Sequence, residues 1–284
     1  MTSASTRHFG TVFDQIAVDY DRHRPGYSDK LIDYACAVAA LQSGDKVLEL
    51  GCGSGQLTRA LVARGFQVTA LEPGEKLIAL AEQNLKGKGT VDFVNAKFED
   101  ADLPQGYYKA VLSASAFHWV DPDISWQKVA ELLVPDGALA LMQHFGLKEP
   151  LSSSDLDLQL AALKKFAPEI AARWPRYYEL DEIIEGVKTR QKNISDAWSW
   201  LGDYDLKRDY VGKLFNDMRI AVVPNLIEQT ADELIALLRT ISSYSSLSEQ
   251  QRTPLEQEYQ EIYKKLGRPL RSSTVTILLA AKRS

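Results

Sequence analysis

The chain has 284 residues and a formal net charge of −5, from 33 Lys plus Arg against 38 Asp plus Glu. Hydrophobic residues make up 45% and charged residues 25%, the proportions of a soluble globular protein, so disorder and fibrous repeats are excluded. The acidic balance argues against nucleic acid as a partner, because non-specific affinity for it comes from Lys and Arg neutralising phosphates.

From about residue 46 to 145, short apolar runs alternate with helical periodicity. A strand is predicted over 47–50, a helix over 57–64 stopped by Gly65, a strand over 68–71 and a helix over 76–86 closed by Gly87. Strands follow over 91–94 and 110–114, then a helix over 124–133, a turn at Pro135-Asp136-Gly137 and a strand over 138–142. This alternation implies right-handed crossovers and a parallel sheet with helices on both faces.

The rhythm changes after Phe145. A helix is predicted over 154–166, and the stretch 174–210 is rich in aromatics: Trp174, Tyr177, Tyr178, Trp198, Trp200, Tyr204 and Tyr210. Alternation returns with a strand over 220–227, helices over 231–241 and 249–266, and a strand over 274–280. The reading is an α/β, Rossmann-like, doubly wound and mostly parallel seven-stranded sheet whose core spans 1–146 and 219–284, with 147–218 a helical, aromatic-rich insertion between strands five and six. A structureless loop of that length is unexpected in a compact domain. The insertion is the candidate substrate lid, with Trp174, Trp198 and Trp200 as candidate lining.

Cys36 and Cys52 have no CxxC spacing and no His cluster, so a cysteine zinc site is not expected. Residues 1–10 lack an apolar h-region, and no run reaches membrane-spanning length. The expectation is a cytoplasmic protein, monomer or homodimer, with no membrane association.

The segment that carries chemistry is Glu49-Leu50-Gly51-Cys52-Gly53-Ser54-Gly55-Gln56, between an apolar strand and an amphipathic helix. Glycine allows positive φ and close approach of a ligand to the backbone. The carboxyl end of the first strand is where open α/β sheets bind ligands. The spacing is GxGxG with Gln56 next, so it lacks the third glycine of a dinucleotide fingerprint, and the Lys and Ser/Thr of a P-loop are absent. Glu72, ending the second strand, suits the two hydroxyls of a ribose.

With these residues the sequence resembles the class I S-adenosylmethionine (SAM)-dependent methyltransferases, and within them the trans-aconitate methyltransferase-like branch. The branch motifs are Phe13-Asp14-x-x-Ala17-x-x-Tyr20-Asp21-x-x-Arg24-Pro25-x-Tyr27 and Ser115-Ala116-Phe117-His118-Trp119-Val120-Asp121-Pro122; the run from Ile235 to Ser246 is similar too. The resemblance implies a SAM site built from the Gly51, Cys52, Gly53 and Gly55 backbone, with Glu49 orienting the loop or meeting the amino group. It implies Glu72 and Pro73 at the ribose, Phe98 and Glu99 at the adenine, and Ser113 and Ala114 at the end of the fourth strand. Many relatives carry an Asp where this chain has Ala96 and Lys97. Tyr20 and Arg24 would close over SAM, and His118, Trp119 and Trp198 would face the acceptor, His118 as candidate general base. The implied reaction is SN2 transfer of the methyl group to a small molecule, a carboxylate being one candidate, leaving S-adenosylhomocysteine (SAH) and needing no metal. The alternatives are an RNA or protein methyltransferase, a non-catalytic SAM-binding protein, and a nicotinamide-dependent oxidoreductase, the last disfavoured by Gln56.

Overall fold

Four of the five residues of β1 (Lys46–Leu50) are buried, as a parallel strand covered on both faces requires. The computed structural model, which describes residues 26–284, sets β1 between β2 (Gln67–Leu71) and β4 (Tyr108–Ala114), all parallel. β3 (Val91–Val94) lies outside β2, and β5 (Leu133–Leu147) lies outside β4. Polarity then reverses: β8 (Leu270–Arg283) runs antiparallel to β5, and β7 (Phe215–Gln229) antiparallel to β8. The order is β3-β2-β1-β4-β5-β8-β7, with the two-residue β6 (Tyr177–Tyr178) pairing β5 off this path. The chain thus forms a Rossmann-like, mostly parallel, doubly wound sheet.

Side chains alternate across each strand, so one sheet feeds two cores. Val47 joins the core under α1 (Asp29–Val38), α2 (Gln56–Ala63) and α3 (Glu75–Leu85), with Leu31, Leu57, Leu61 and Ala81. Leu48 and Leu50 face the other way, onto Trp126 and Val129 of α4 (Pro122–Leu132). Asp121 caps α4 by accepting from the Asp123 N–H at 3.0 Å, and Pro122 fills the first helical position, where its missing N–H costs nothing.

Five helices separate β5 from β7: α5 (Ser153–Phe166), α6 (Pro168–Ala171), α7 (Leu180–Lys188), α8 (Ile194–Gly202) and α9 (Val211–Leu214). They divide between two places. Ile183, Val187, Trp198, Leu201 and Val211 of α7, α8 and α9 extend the core beneath α4. α5 instead packs with α10 (Ala231–Arg239) and α12 (Glu249–Leu266), burying Ala162 and Leu163 against Leu234, Leu255 and Tyr259. The short α11 (Ser242–Ser245) links α10 to α12. Part of the expected lid is therefore structural core.

Several strands exceed their expected bounds. Pro135-Asp136-Gly137, read as a turn, lies within β5: from Leu133 to Ala138 the strand takes five steps while β4 takes two, Tyr108 to Ala110. That bulge puts Asp136 at φ +58°. β7 begins at Phe215 and contains Pro224, tolerated because β7 is the sheet's edge.

Asp155 of α5 is fully buried and accepts two hydrogen bonds of 2.7 Å from Arg268 and one of 2.8 Å from the Arg271 N–H. This fastens α5 to the start of β8. The Arg268 bonds hold the Asp155 carboxyl below the usual carboxylate range, so its contribution to stability is present above that range and lost as pH falls through the lowered value. Asp155→Asn should cost about 1–3 kcal/mol at neutral pH and flatten the acid side of the stability–pH curve. Denaturant unfolding of both proteins from pH 3 to 7 measures this; parallel curves would contradict it.

Candidate functional site

The loop after β1 is anchored from behind. Leu71 O accepts from Gly51 N at 2.8 Å and Cys52 N at 3.0 Å, and Ser113 Oγ donates to Leu50 O at 3.0 Å. Gly51 has φ +70°, and a Cβ there would stand 2.3 Å from the Cβ of Ala116, so glycine alone lets the loops after β1 and β4 approach this closely. Gly55, also at positive φ, is the N-cap of α2; a Cβ there would meet Leu85 at 2.9 Å. Gly55 thus serves helix packing, the role that the third glycine plays in dinucleotide fingerprints.

Glu72 ends β2 and is nearly buried. Its Oε2 accepts from Gly53 N at 3.0 Å and its Oε1 from Gly74 N at 2.9 Å, so the acid braces both the glycine loop and the entry to α3. Each carboxylate oxygen accepts more than one hydrogen bond, so capacity remains for a ligand. Asn95 Nδ2 donates to the Glu72 carbonyl at 2.8 Å.

These groups open onto one continuous cleft of about 1340 Å³ among the described residues, at the carboxyl ends of the strands. Gly51, Gly53, Glu72, Pro73, Phe98, Glu99, Ala114, His118 and Trp119 all line it. Other candidates stand elsewhere. Glu49, Cys52, Gly55 and Ser113 lie behind the wall and support it. Trp198 does not face the acceptor: it is buried in the core, edge-on to Phe145 at 6.5 Å, because α8 turns that face toward the sheet. Trp174 and Trp200 do line the cleft. Tyr20 and Arg24 lie outside the described residues.

Glu99 Oε1 accepts from the Asp121 N–H at 2.5 Å, joining the loop after β3 to the loop after β4. Lys128 of α4 holds the first loop down, donating to the carbonyls of Phe98 and Ala101 at 2.7 Å and of Glu99 at 3.1 Å. Sequence reasoning missed Lys128, whose helix lies outside every motif.

His118 stacks on Tyr204, with ring centroids 4.9 Å apart and planes at 7°. Burial pushes the Tyr204 phenol up, so it stays protonated and acts as a hydrogen-bonding group. Gln143, past the buried run of β5, donates from Nε2 to Tyr204 Oη at 2.5 Å. Tyr27 donates to Ser115 Oγ at 2.9 Å and stacks on His144 at 4.9 Å, bracing the loop that carries His118. Gln143 and His144 stand where open sheets bind ligands, at a strand's carboxyl end; that position was the available signal.

Glu49 is buried, and its Oε2 has no hydrogen-bond partner among the described residues. Burial, reinforced by Glu72, pushes its carboxyl up to about 8, whereas burial with Glu49 and Glu72 nearby also keeps the Cys52 thiol protonated. A raised carboxyl favours folding below the ordinary carboxylate range and loses that contribution as pH rises through about 8. Glu49→Gln should therefore match the wild type in Tm near pH 4 and exceed it at pH 9. Thermal melts across that range check the sign; a variant less stable at pH 9 would show Glu49 to be ionised and paired.

Known proteins similar to this chain in sequence and in fold are methyltransferases by name. Residues 48–141 match the family model of a methyltransferase domain. An uncharacterized methyltransferase of Mycobacterium tuberculosis is 35% identical over 140 residues, which cover 49% of this chain and 55% of that protein. The chain spans about half the length of the first curated relatives it matches. A type II methyltransferase candidate from Anaeromyxobacter dehalogenans superposes with a TM-score of 0.59 at 23% identity, over 91% of this chain and 97% of that one. A Haemonchus contortus phosphoethanolamine N-methyltransferase 2, solved with phosphomonomethylethanolamine and SAH, gives 0.50 at 15% identity over 99% and 60%. Residues 48–141 are thus similar to methyltransferase domains in sequence, and the whole sheet is similar to methyltransferases in fold.

Proposed function

We propose that this protein transfers a methyl group from SAM to a small-molecule acceptor held in the same cleft. The observation that carries the reading is the buried Glu72 carboxylate, set at the end of β2 and braced against Gly53, facing a wall made of glycine backbone. Gly51 and Gly53 line the cleft with backbone and no side chain, so the residues present suit a ligand that lies against the main chain. Glu72 would accept the ribose hydroxyls, Gly51 and Gly53 would line the methionine side, and Phe98 and Glu99 would border the adenine.

SAM supplies an electrophilic methyl group on a sulfonium. The acceptor atom forms a bond to the methyl carbon while the sulfur leaves with the electron pair as SAH. The protein's work is alignment and exclusion of water, which supplies up to about 7–11 kcal/mol in well-oriented reactions. A carboxylate acceptor, as the trans-aconitate-like motifs imply, arrives ionised and needs no base. A hydroxyl acceptor gives its proton to His118, which lines the cleft beside Tyr204 and Trp119. Tyr204 and Gln143 orient the nucleophile. The rims of α5 and the 172–177 stretch close the acceptor side.

Thermal shift separates this reading from a nicotinamide enzyme: SAM and SAH should raise Tm, and NAD should not. Methyl-labelled SAM incubated with cell extract should label the small-molecule fraction; label confined to RNA or protein would replace the acceptor class, and binding without label would leave a SAM-binding regulator. Glu72→Ala should weaken SAH binding roughly 10- to 100-fold, from the loss of hydrogen bonds to a charged group. Unchanged affinity would remove Glu72 from the ribose. His118→Ala should lower kcat while the KM for SAM holds; a matching loss of SAM affinity would place His118 on the cofactor side instead.

A further inference from the structure

The cleft continues well beyond the groups that methyl transfer requires. Its volume of about 1340 Å³ exceeds the roughly 300–1,000 Å³ that holds one drug-sized ligand. Past Gln143 and Tyr204 the wall carries an apolar stripe: Leu156 of α5, Trp174, Ile227 of β7, Leu234 and Leu237 of α10, and Ile241 just after it, with the exposed Arg173 and Arg176 also lining it. None of the residues that α5, the 172–178 stretch, β7, α10 and β8 contribute to the lining is acidic, whereas Glu72, Glu99, Asp100 and Asp121 border the other end.

Some polar groups in this half pair with one another. Ser152 Oγ donates to Ser273 Oγ at 2.8 Å, and Gln229 Nε2 donates to Ser272 Oγ at 3.1 Å. Two amides do not. Among the described residues Gln159 Nε2 is buried without a hydrogen-bond partner, and so is Gln143 Oε1, whose Nε2 is committed to Tyr204. Both glutamines line the cleft. A buried polar group left unpaired costs about 1–3 kcal/mol, so an apolar chamber with an unpaired amide oxygen at Gln143 is matched by a ligand that is mostly apolar and carries one polar head.

We propose that the methyl acceptor is amphipathic: an oxygen head group beside His118, either a hydroxyl that donates to Gln143 Oε1 or a carboxylate that accepts from the Tyr204 hydroxyl, and an elongated apolar body lying along α10 and Trp174 as far as Gln159. This deepens the methyl-transfer reading and rests on it. The head lies within reach of the transferred group, and the body excludes water from the acceptor side. Apolar area sets affinity, and the amides set the register of the chain.

Isothermal titration of the full chain, saturated with SAH, tests this with two homologous series: butanoic to decanoic acid, and butanol to decanol. The expected result is affinity rising about three- to fourfold per added methylene, the effect of burying one such group, and the tighter series identifies the head. Leu237→Asn, which puts an amide into the apolar wall, should flatten that dependence and leave the thermal shift with SAH unchanged. Trp174→Ala should shorten the chain length at which affinity levels off. Flat affinity across both series, with SAH still bound, overturns the amphipathic acceptor alone. Failure of SAH to bind overturns the methyl-transfer reading beneath it.

Discussion

The close approach of Gly51 to Ala116 is the constraint on which the rest of the site depends. The loops after β1 and β4 leave neighbouring strands at the point where the sheet order reverses, and both must turn there without filling the crevice. A side chain at Gly51 would overlap Ala116, and its positive φ would strain any other residue. Because the gap closes on glycine, Leu71 O can gather two backbone N–H groups, Glu72 can reach Gly53, and the β4 loop can bring His118 across the mouth. The cleft is thus a consequence of how two turns are packed.

Charge is distributed to support that packing. Three titratable groups, Glu49, Cys52 and Glu72, lie close together behind and beside the glycine loop. Burial and mutual repulsion keep Glu49 and Cys52 toward their neutral forms, while Glu72 accepts from the Gly53 and Gly74 N–H groups. Of these three, Glu72 lines the cleft. Lys128 holds the adjoining 98–101 loop by its carbonyls, so that side of the crevice is also set from behind. The insertion shows the same economy: α7, α8 and α9 complete the core under α4, while α5 turns away to build the apolar end of the cleft with α10.

The sheet was legible because its signals are local. Buried strands read as apolar runs, and Gly51, Gly53 and Gly55 sit between strand and helix in a pattern with few other uses. Glu72 was found by its position at the end of the second strand. What escaped depends on tertiary context. Trp198 and Trp174 are alike in composition, yet one is core and the other cleft wall, which the direction of a helix decides. Gly55 was grouped with ligand-facing glycines, but packing against Leu85 explains it. The Pro135-Asp136-Gly137 signal is correct as chemistry for a bend and wrong as an element boundary, because Leu133 and Ala138 on either side both pair with β4. Gln143, Lys128 and Tyr204 reach the site from a strand, a helix and a loop far apart in sequence, and no spacing brings them together.

A crystal structure of the full chain with SAH bears most directly on the central claim, that Glu72 and the glycine loop form the cofactor side and the apolar chamber the acceptor side. The account predicts both ribose hydroxyls within hydrogen-bonding distance of Glu72, the backbone of Gly51 and Gly53 along the methionine portion, and the sulfur directed toward His118 and Gln143. SAH bound with its ribose away from Glu72, or lying in the chamber beside Trp174 and Leu237, would contradict it.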